Sequence, residues 1–147
     1  MAGYSGTPLA QKLGIKPGAT LAAINPPPNY RRLLAPIPPR VHFVSRAGQN
    51  ANFIHLFCDR RRILDRELIR LRSKLADAGI LWVSWPKKSS GIASDITEDT
   101  IRSLALPLGL VDIKVCAVDQ TWSALKLMIR REQRQAKRPR PADGKKR

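Results

Sequence analysis

The segment 80–91 constrains the fold of this chain more than any other part of its sequence. Residues 80–85 are apolar except for Ser84, which predicts a strand buried on both faces, as in the middle of a parallel α/β sheet. Pro86 ends this strand. The residues that follow place ammonium groups, hydroxyls and backbone amides where open α/β sheets bind ligands. They are Lys87, Lys88, Ser89, Ser90 and Gly91. The sequence therefore predicts an anion-binding loop after the strand.

Shorter apolar runs that precede this strand predict the other half of a sheet. Strands are expected over residues 20–24, 41–44 and 52–58, with short helices before the first strand and over residues 28–34. Only about seven residues separate the second strand from the third, and a helical crossover needs a dozen or more. Two alternatives remain open for this link. It is an extended jump across the sheet, or one of the two strands is misassigned.

The clearest helix is expected to have Asp59 as its N-cap, to run to about Ala76 and to end at Gly79. Four leucines share one face of this helix: Leu64, Leu68, Leu71 and Leu75. The opposite face carries Arg62, Arg66, Arg70 and Ser73. Because this face is basic, we count Arg62 and Arg66 among the candidate residues for binding an anion or a nucleic acid.

The last third of the chain predicts one more helix and a hairpin. Asp95 and Glu98 have the spacing of a capping box, so a helix is expected from there to residue 108, ending at Gly109. Segments 110–118 and 122–130 alternate like antiparallel strands joined by a tight turn. The predicted fold class is α/β. Residues 1–130 form a single three-layer Rossmann-like domain, with a mostly parallel sheet of about six strands that ends in an antiparallel hairpin.

The charge of the chain favours an anionic partner. Its 147 residues include 27 lysines and arginines against 11 acidic residues, a formal charge of +16, which attracts polyanions of any kind. Nucleic acid, RNA or DNA, is the first expectation. Residues 130–147 contain nine basic and two acidic residues without an apolar pattern, so we predict a disordered basic tail over 131–147.

Cysteine and histidine usage indicates a reduced protein without a metal site. Cys58, Cys116, His42 and His55 all lie in apolar strand-like runs and lack the spacing of zinc ligands. The longest apolar run has about six residues, too few to span a bilayer, and no signal peptide is recognised at the start. We therefore expect a cytoplasmic protein with no membrane span and no bound cofactor.

Several segments resemble a family of small bacterial proteins of unknown function. The resemblance covers about residues 3–131 and rests on the segments 3–9, 12–18, 81–88, 111–119 and 122–126. It implies a fold and a bacterial, cytoplasmic setting, but no reaction. The order of the expected elements, with a hairpin at the end of the sheet, also resembles a shortened S-adenosylmethionine-dependent methyltransferase.

Two features depart from the methyltransferase pattern. Those enzymes have a glycine-rich turn after the first strand and an acidic residue after the second, which hold the cofactor. Here residues 25–29 are Asn-Pro-Pro-Pro-Asn, and proline removes both the amide donors and the space of glycine. Ser45 and Arg46 follow the second strand. Cofactor binding in the usual mode is therefore not expected.

Three hypotheses of function follow. The first is a non-catalytic binding module for RNA or DNA on a degenerate methyltransferase-like scaffold, with Trp122 and Tyr4 as stacking faces beside the lysines. The second is an atypical methyltransferase, or another small-molecule enzyme, using Lys87, Lys88, Asp95 or Lys126. The third is a scaffold that binds another protein through the exposed edge of the hairpin. The first is preferred, so catalysis is not expected.

Overall fold

A computed structural model describes residues 6–134 of the chain. Tyr4 and residues 135–147 of the predicted tail lie outside this part. The helices and strands alternate along the chain. In order they are α1 (Leu9–Leu13), β1 (Thr20–Ile24), α2 (Tyr30–Leu34), β2 (His42–Val44), β3 (Ala51–Phe57), α3 (Arg61–Lys74), β4 (Leu75–Pro86), α4 (Glu98–Ala105), β5 (Leu110–Ala117) and β6 (Trp122–Ile129).

The six strands form one sheet in the order β2-β1-β3-β4-β6-β5. The first four are parallel, and β6 lies antiparallel between β4 and β5. One face of the sheet packs against α1 and α2, and the other packs against α3 and α4. These layers confirm the predicted α/β class, the Rossmann-like architecture and the terminal hairpin.

Strand β4 is the centre of the core, as its sequence predicts. Every residue from Leu81 to Pro86 is buried. Leu81 and Val83 pack on the side of α3 and α4, whereas Trp82 faces α1 and α2. The indole N–H of Trp82 donates a hydrogen bond of 2.8 Å to the carbonyl of Leu13, which fastens α1 to the sheet.

The short link between β2 and β3 is an extended jump across the sheet. The two strands lie on opposite sides of β1 and are both parallel to it. Residues 45–50 therefore pass the end of β1 without a helix, and Ala47 is buried in the core on the side of α3 and α4. Both short strands are real, which decides between the two alternatives that the sequence left open.

The ends of α3 differ from the prediction. Its N-cap is Arg60, not Asp59, and the amide of Arg61 donates a 2.7 Å hydrogen bond to the carboxylate of Asp95, 34 residues away. The helix ends at Lys74, and β4 begins at the next residue. Gly79 is therefore a strand residue, where a Cβ would lie 2.7 Å from the carbonyl oxygen of Ala51.

The predicted capping box of α4 was also wrong. The N-cap is Thr97, which exchanges hydrogen bonds with Thr100. Asp95 is not available for this role because it caps α3 instead, and a contact so distant in sequence leaves no local pattern. The helix proper ends at Ala105, and a 3₁₀ turn continues to Leu108 before Gly109, which has φ 82°.

The faces of α3 are as predicted except for Leu75, which is the first residue of β4. Leu64, Leu68 and Leu71 are fully buried, and Arg62, Arg66 and Arg70 are exposed. After β6, the amide of Arg130 donates to the carbonyl of Gly109, and Arg131–Gln133 forms a 3₁₀ turn. The first residues of the predicted tail are therefore folded against the domain. No helix among residues 6–134 has the length and apolar character needed to cross a membrane.

Candidate functional site

The strand order places a crevice at the carboxyl edge of the sheet. The chain moves from β1 to β2 on one side and then returns to β3 on the other, so the order reverses between β1 and β3. Doubly wound sheets bind ligands at such a switch point. A crevice of about 210 Å³ opens here. We call it the switch-point crevice, and it is lined by Asn25, Phe57, Cys58, Asp59, Ile63 and Trp122.

Two aromatic rings form the wall of this crevice. The rings of Phe57 and Trp122 are 5.1 Å apart and nearly perpendicular. Trp122 is held in place by its backbone, because its amide and that of Thr121 both donate 2.8 Å hydrogen bonds to the carboxylate of Asp119. The side chain of Trp122 is only half-buried, so part of its aromatic surface remains open to a ligand.

The rim of the switch-point crevice is polar. Asn25, the residue after β1, has φ 56°, a left-handed conformation that asparagine tolerates better than most residues. Asp59 follows β3 and supplies a carboxylate. Cys58 directly precedes Asp59, and its thiol donates to the carbonyl of Arg60. Burial raises the pKa of the Cys58 thiol, which keeps it protonated near neutral pH and unsuited to act as a nucleophile.

The predicted lysine loop lies next to this crevice. Pro86 pairs with Trp122 across the sheet, and the amide of Lys87 donates to the carbonyl of Thr121 at 2.8 Å. The loop that follows is a 3₁₀ turn ending at Gly91, which has φ 80°. Lys88 and Ser89 are exposed, while the Ser90 hydroxyl donates to the carbonyl of Lys87 and so holds the turn.

The other predicted site residues divide into two groups. Arg62 lies in the first turn of α3, directly after β3, and is therefore on the same edge as the lysine loop; Arg66 lies one turn further along. Neither forms a salt bridge with any carboxylate of residues 6–134. Lys126 is four residues beyond Trp122 on β6, about 13 Å away at 3.3 Å per residue. It belongs to a different part of the surface.

Three buried, hydrogen-bonded polar residues lie under the crevice, and no pattern in the sequence predicts them. Nδ1 of His55 is 2.7 Å from the Tyr30 hydroxyl, and Nε2 is 2.7 Å from the Ser84 hydroxyl. Burial lowers the pKa of His55 to about 3, so the imidazole is neutral. Its ring stacks on Phe57, with centroids 4.2 Å apart. These hydrogen bonds therefore hold His55 in place beneath Phe57, which lines the switch-point crevice.

The hydrogen-bonded residues Tyr30, His55 and Ser84 have a structural role. His55 and Ser84 are fully buried, so neither reaches a ligand in the crevice. This position agrees with the apolar strand-like run in which the sequence places His55. Its partners lie 25 and 29 residues away in sequence, and no spacing rule connects residues on three different elements. Among residues 6–134, no cluster of three histidine, cysteine or acidic side chains is arranged to hold a metal ion.

Solved structures with the same fold are known. A Sulfolobus solfataricus protein assigned to the type 11 methyltransferases matches 83% of this chain and 89% of its own length, with a TM-score of 0.57 and 12% identity. The fold is that of methyltransferase-like Rossmann proteins. A protein of the NADB-Rossmann superfamily from Streptococcus agalactiae matches 84% of this chain and 68% of its own, with a TM-score of 0.51 and 11% identity.

At these identities the similarity concerns the methyltransferase-like fold alone. A TehB-like S-adenosylmethionine-dependent methyltransferase from Corynebacterium glutamicum also matches, at 9% identity over 83% of this chain and 85% of its own, but its TM-score is 0.49. Comparison with protein-family models gives no match, and neither does comparison with curated proteins. The resemblance to a family of small bacterial proteins stays a prediction.

Proposed function

We propose that this chain binds S-adenosylmethionine in the switch-point crevice and is an atypical S-adenosylmethionine-dependent methyltransferase. The observation that carries the proposal is an aromatic crevice with a carboxylate on its rim, at the point of the sheet where doubly wound folds bind nucleotides. The charge of the chain alone favoured a non-catalytic binding module, and the crevice favours the methyltransferase instead.

The residues of the crevice fit the adenosine part of this cofactor. The half-buried Trp122 offers apolar ring surface to an adenine, with the buried ring of Phe57 packed perpendicular to it, and base–aromatic stacking is favourable for any base. The Asp59 carboxylate can accept hydrogen bonds from the two ribose hydroxyls, the role that an acidic residue has in dinucleotide-binding folds. Here that residue follows β3, whereas Ser45 and Arg46 follow β2.

The methionine part of the cofactor needs a different explanation. The crevice, at about 210 Å³, is smaller than the roughly 300–1,000 Å³ of pockets that enclose a drug-sized ligand, so part of the cofactor would lie over its rim. The three prolines after β1 provide no amide donors there. Lys87 and Lys88, which lie beside Trp122, can hold the cofactor's carboxylate through their ammonium groups instead.

The bound cofactor would supply an activated methyl group. This chain's residues would bind and orient it, with Phe57 and Trp122 excluding water from one side and Asp59 fixing the ribose. An exposed rim would leave the methyl-bearing end accessible to a second molecule. The buried thiol of Cys58, whose pKa is raised, takes no part in this scheme.

Binding of a polyanion is the second candidate function. Arg60, Arg61, Arg62, Lys87 and Lys88 lie at one edge of the sheet, and none of them forms a salt bridge within residues 6–134. Only this charge favours RNA or DNA, since the similar structures give no support for a nucleic-acid partner. Protein binding at the free edge of β5, where Ile113 and Val115 are exposed, is the third.

Calorimetry with S-adenosylhomocysteine, the unreactive product of methyl transfer, tests the proposal. We expect one site per chain. Trp122→Ala and Asp59→Asn should each weaken binding by about tenfold, the order expected for one lost stacking or charge-assisted contact. Asp65→Asn, an equal charge change on the exposed face of α3, should leave the affinity unchanged.

Two results would reject the methyltransferase proposal. The first is the absence of both heat and a thermal shift with S-adenosylhomocysteine. The second is an equal loss of affinity in the Asp65→Asn control. If a single-stranded RNA binds under the conditions where S-adenosylhomocysteine does not, and its affinity falls steeply with salt, the polyanion hypothesis replaces it.

A further inference from the structure

Two lysines face each other across the terminal hairpin. Lys114 of β5 pairs directly with Lys126 of β6, beside a β-bulge between Asp112 and Lys114. Directly opposite residues of an antiparallel pair have Cβ atoms about 5 Å apart, and like charges in these positions are destabilising. The hairpin therefore contains a pair of like charges whose repulsion destabilises it.

A third lysine approaches from α1, which covers the same face. The ammonium group of Lys12 donates to the carbonyl of Ala117 at 3.5 Å. Cys116 lies between Lys114 and Ala117. Burial raises the pKa of its thiol, and the charges of Lys12 and Lys114 offset part of this rise, so both lysines are close to the thiol. We call Lys12, Lys114 and Lys126, together with Cys116, the lysine cluster.

No carboxylate balances the lysine cluster within residues 6–134. None of its lysines forms a salt bridge there. The Asp112 carboxylate, two residues from Lys114, is paired with Arg102. The Asp119 carboxylate accepts the amides of Thr121 and Trp122. Burial and the charge of Lys114 both lower the pKa of Lys126, which indicates a partly enclosed ammonium group close to another.

We propose that the lysine cluster is a binding site for the phosphate group of a small anionic ligand. A tetrahedral anion can accept hydrogen bonds from several ammonium groups at once, and its charge would remove the repulsion between Lys114 and Lys126. Attraction is stronger at the partly buried Lys12 and Lys126 than at exposed lysines such as Lys88, because less water screens it.

The pair of Lys114 and Lys126 in the lysine cluster is separate from the switch-point crevice. Lys126 and Trp122 lie about 13 Å apart along β6. Lys126 pairs with Trp82 in the middle of β4, whereas Trp122 pairs with Pro86 at its end. The proposal therefore does not depend on the binding of S-adenosylmethionine and can be tested without it.

Titration of ¹⁵N-labelled protein with inorganic pyrophosphate tests this site. We expect the largest amide shift changes at Cys116 and Lys126, with saturation. Lys114→Gln and Lys126→Gln should each weaken binding about fivefold, the scale of one partly exposed charged contact. Lys74→Gln, the same charge change at the end of α3 on the other side of the sheet, should stay within about twofold of the unchanged protein.

Parallel titration with adenosine diphosphate distinguishes two sources of the phosphate. Equal affinity for both ligands would assign the site to the diphosphate alone, and tighter binding of the nucleotide would show that the nucleoside is also recognised. The spectra themselves report whether each variant is folded. The proposal is wrong if the shifts spread over all basic surfaces, if they centre on Arg60–Arg62, or if Lys74→Gln weakens binding as much as the other two substitutions.

Discussion

Replacement of Trp82 by alanine is expected to lower the free energy of unfolding by about 3–5 kcal/mol, the range of buried aromatic truncations. Trp82 is fully buried in the middle of β4, beside His55 of β3 and Lys126 of β6. The substitution would leave a cavity between the sheet and α1. It would also remove the hydrogen-bond donor of the Leu13 carbonyl. Urea unfolding followed by circular dichroism measures the loss.

Trp82→Phe separates packing from hydrogen bonding. It retains most of the ring but leaves the Leu13 carbonyl without its donor, so a loss of about 1–3 kcal/mol is expected. A loss of about 1 kcal/mol or less for Trp82→Ala, as is usual at surface positions, would show that α1 is not anchored through this residue.

Acid is expected to destabilise this protein through His55 well above the pH at which carboxylates titrate. The pKa of His55 falls from an ordinary 6.5 to about 3 in the folded chain because the imidazole is buried. Between these two values the unfolded chain binds one more proton than the folded chain. Stability is therefore complete above pH 6.5 and decreases as the pH falls, by about 2 kcal/mol from pH 7 to pH 5.

Two substitutions test whether His55 causes this dependence. His55→Gln retains hydrogen-bonding groups for Tyr30 and Ser84 but does not titrate, so its free energy of unfolding should change little between pH 7 and pH 5. His42→Gln, at an exposed position on β2, should keep the slope of the unchanged protein. If both variants lose stability equally over this range, His55 is not the group responsible. Urea titrations at each pH provide the measurement.

The elements with a strong local pattern were predictable. Strand β4, the leucine face of α3 and the hairpin of β5 and β6 follow from periodicity, because burial selects residues at fixed spacing within one element. Helix ends were less predictable. Asp95 has the spacing of an N-cap for α4, yet its carboxylate caps α3, because packing of the two helices brings it to the amide of Arg61.

The candidate site was predictable only in part. Lys87 and Lys88 follow a buried strand, and the structure places them at the carboxyl edge beside Trp122, as parallel sheets require. Lys126 lies about 13 Å from Trp122 along β6, a position that depends on the register of the hairpin, and its role in binding stays a prediction. The contacts of Tyr30, His55 and Ser84 join three elements, and single-sequence patterns contain no information about such contacts.

The switch-point crevice is proposed to hold the adenosine part of S-adenosylmethionine. A crystal structure of the full chain grown with S-adenosylhomocysteine tests it most directly. Electron density for an adenine is expected against Trp122, with the ribose hydroxyls at Asp59 and the carboxylate near Lys87 and Lys88. Density for the ligand at another place, or an empty crevice in crystals with saturating ligand, would contradict it.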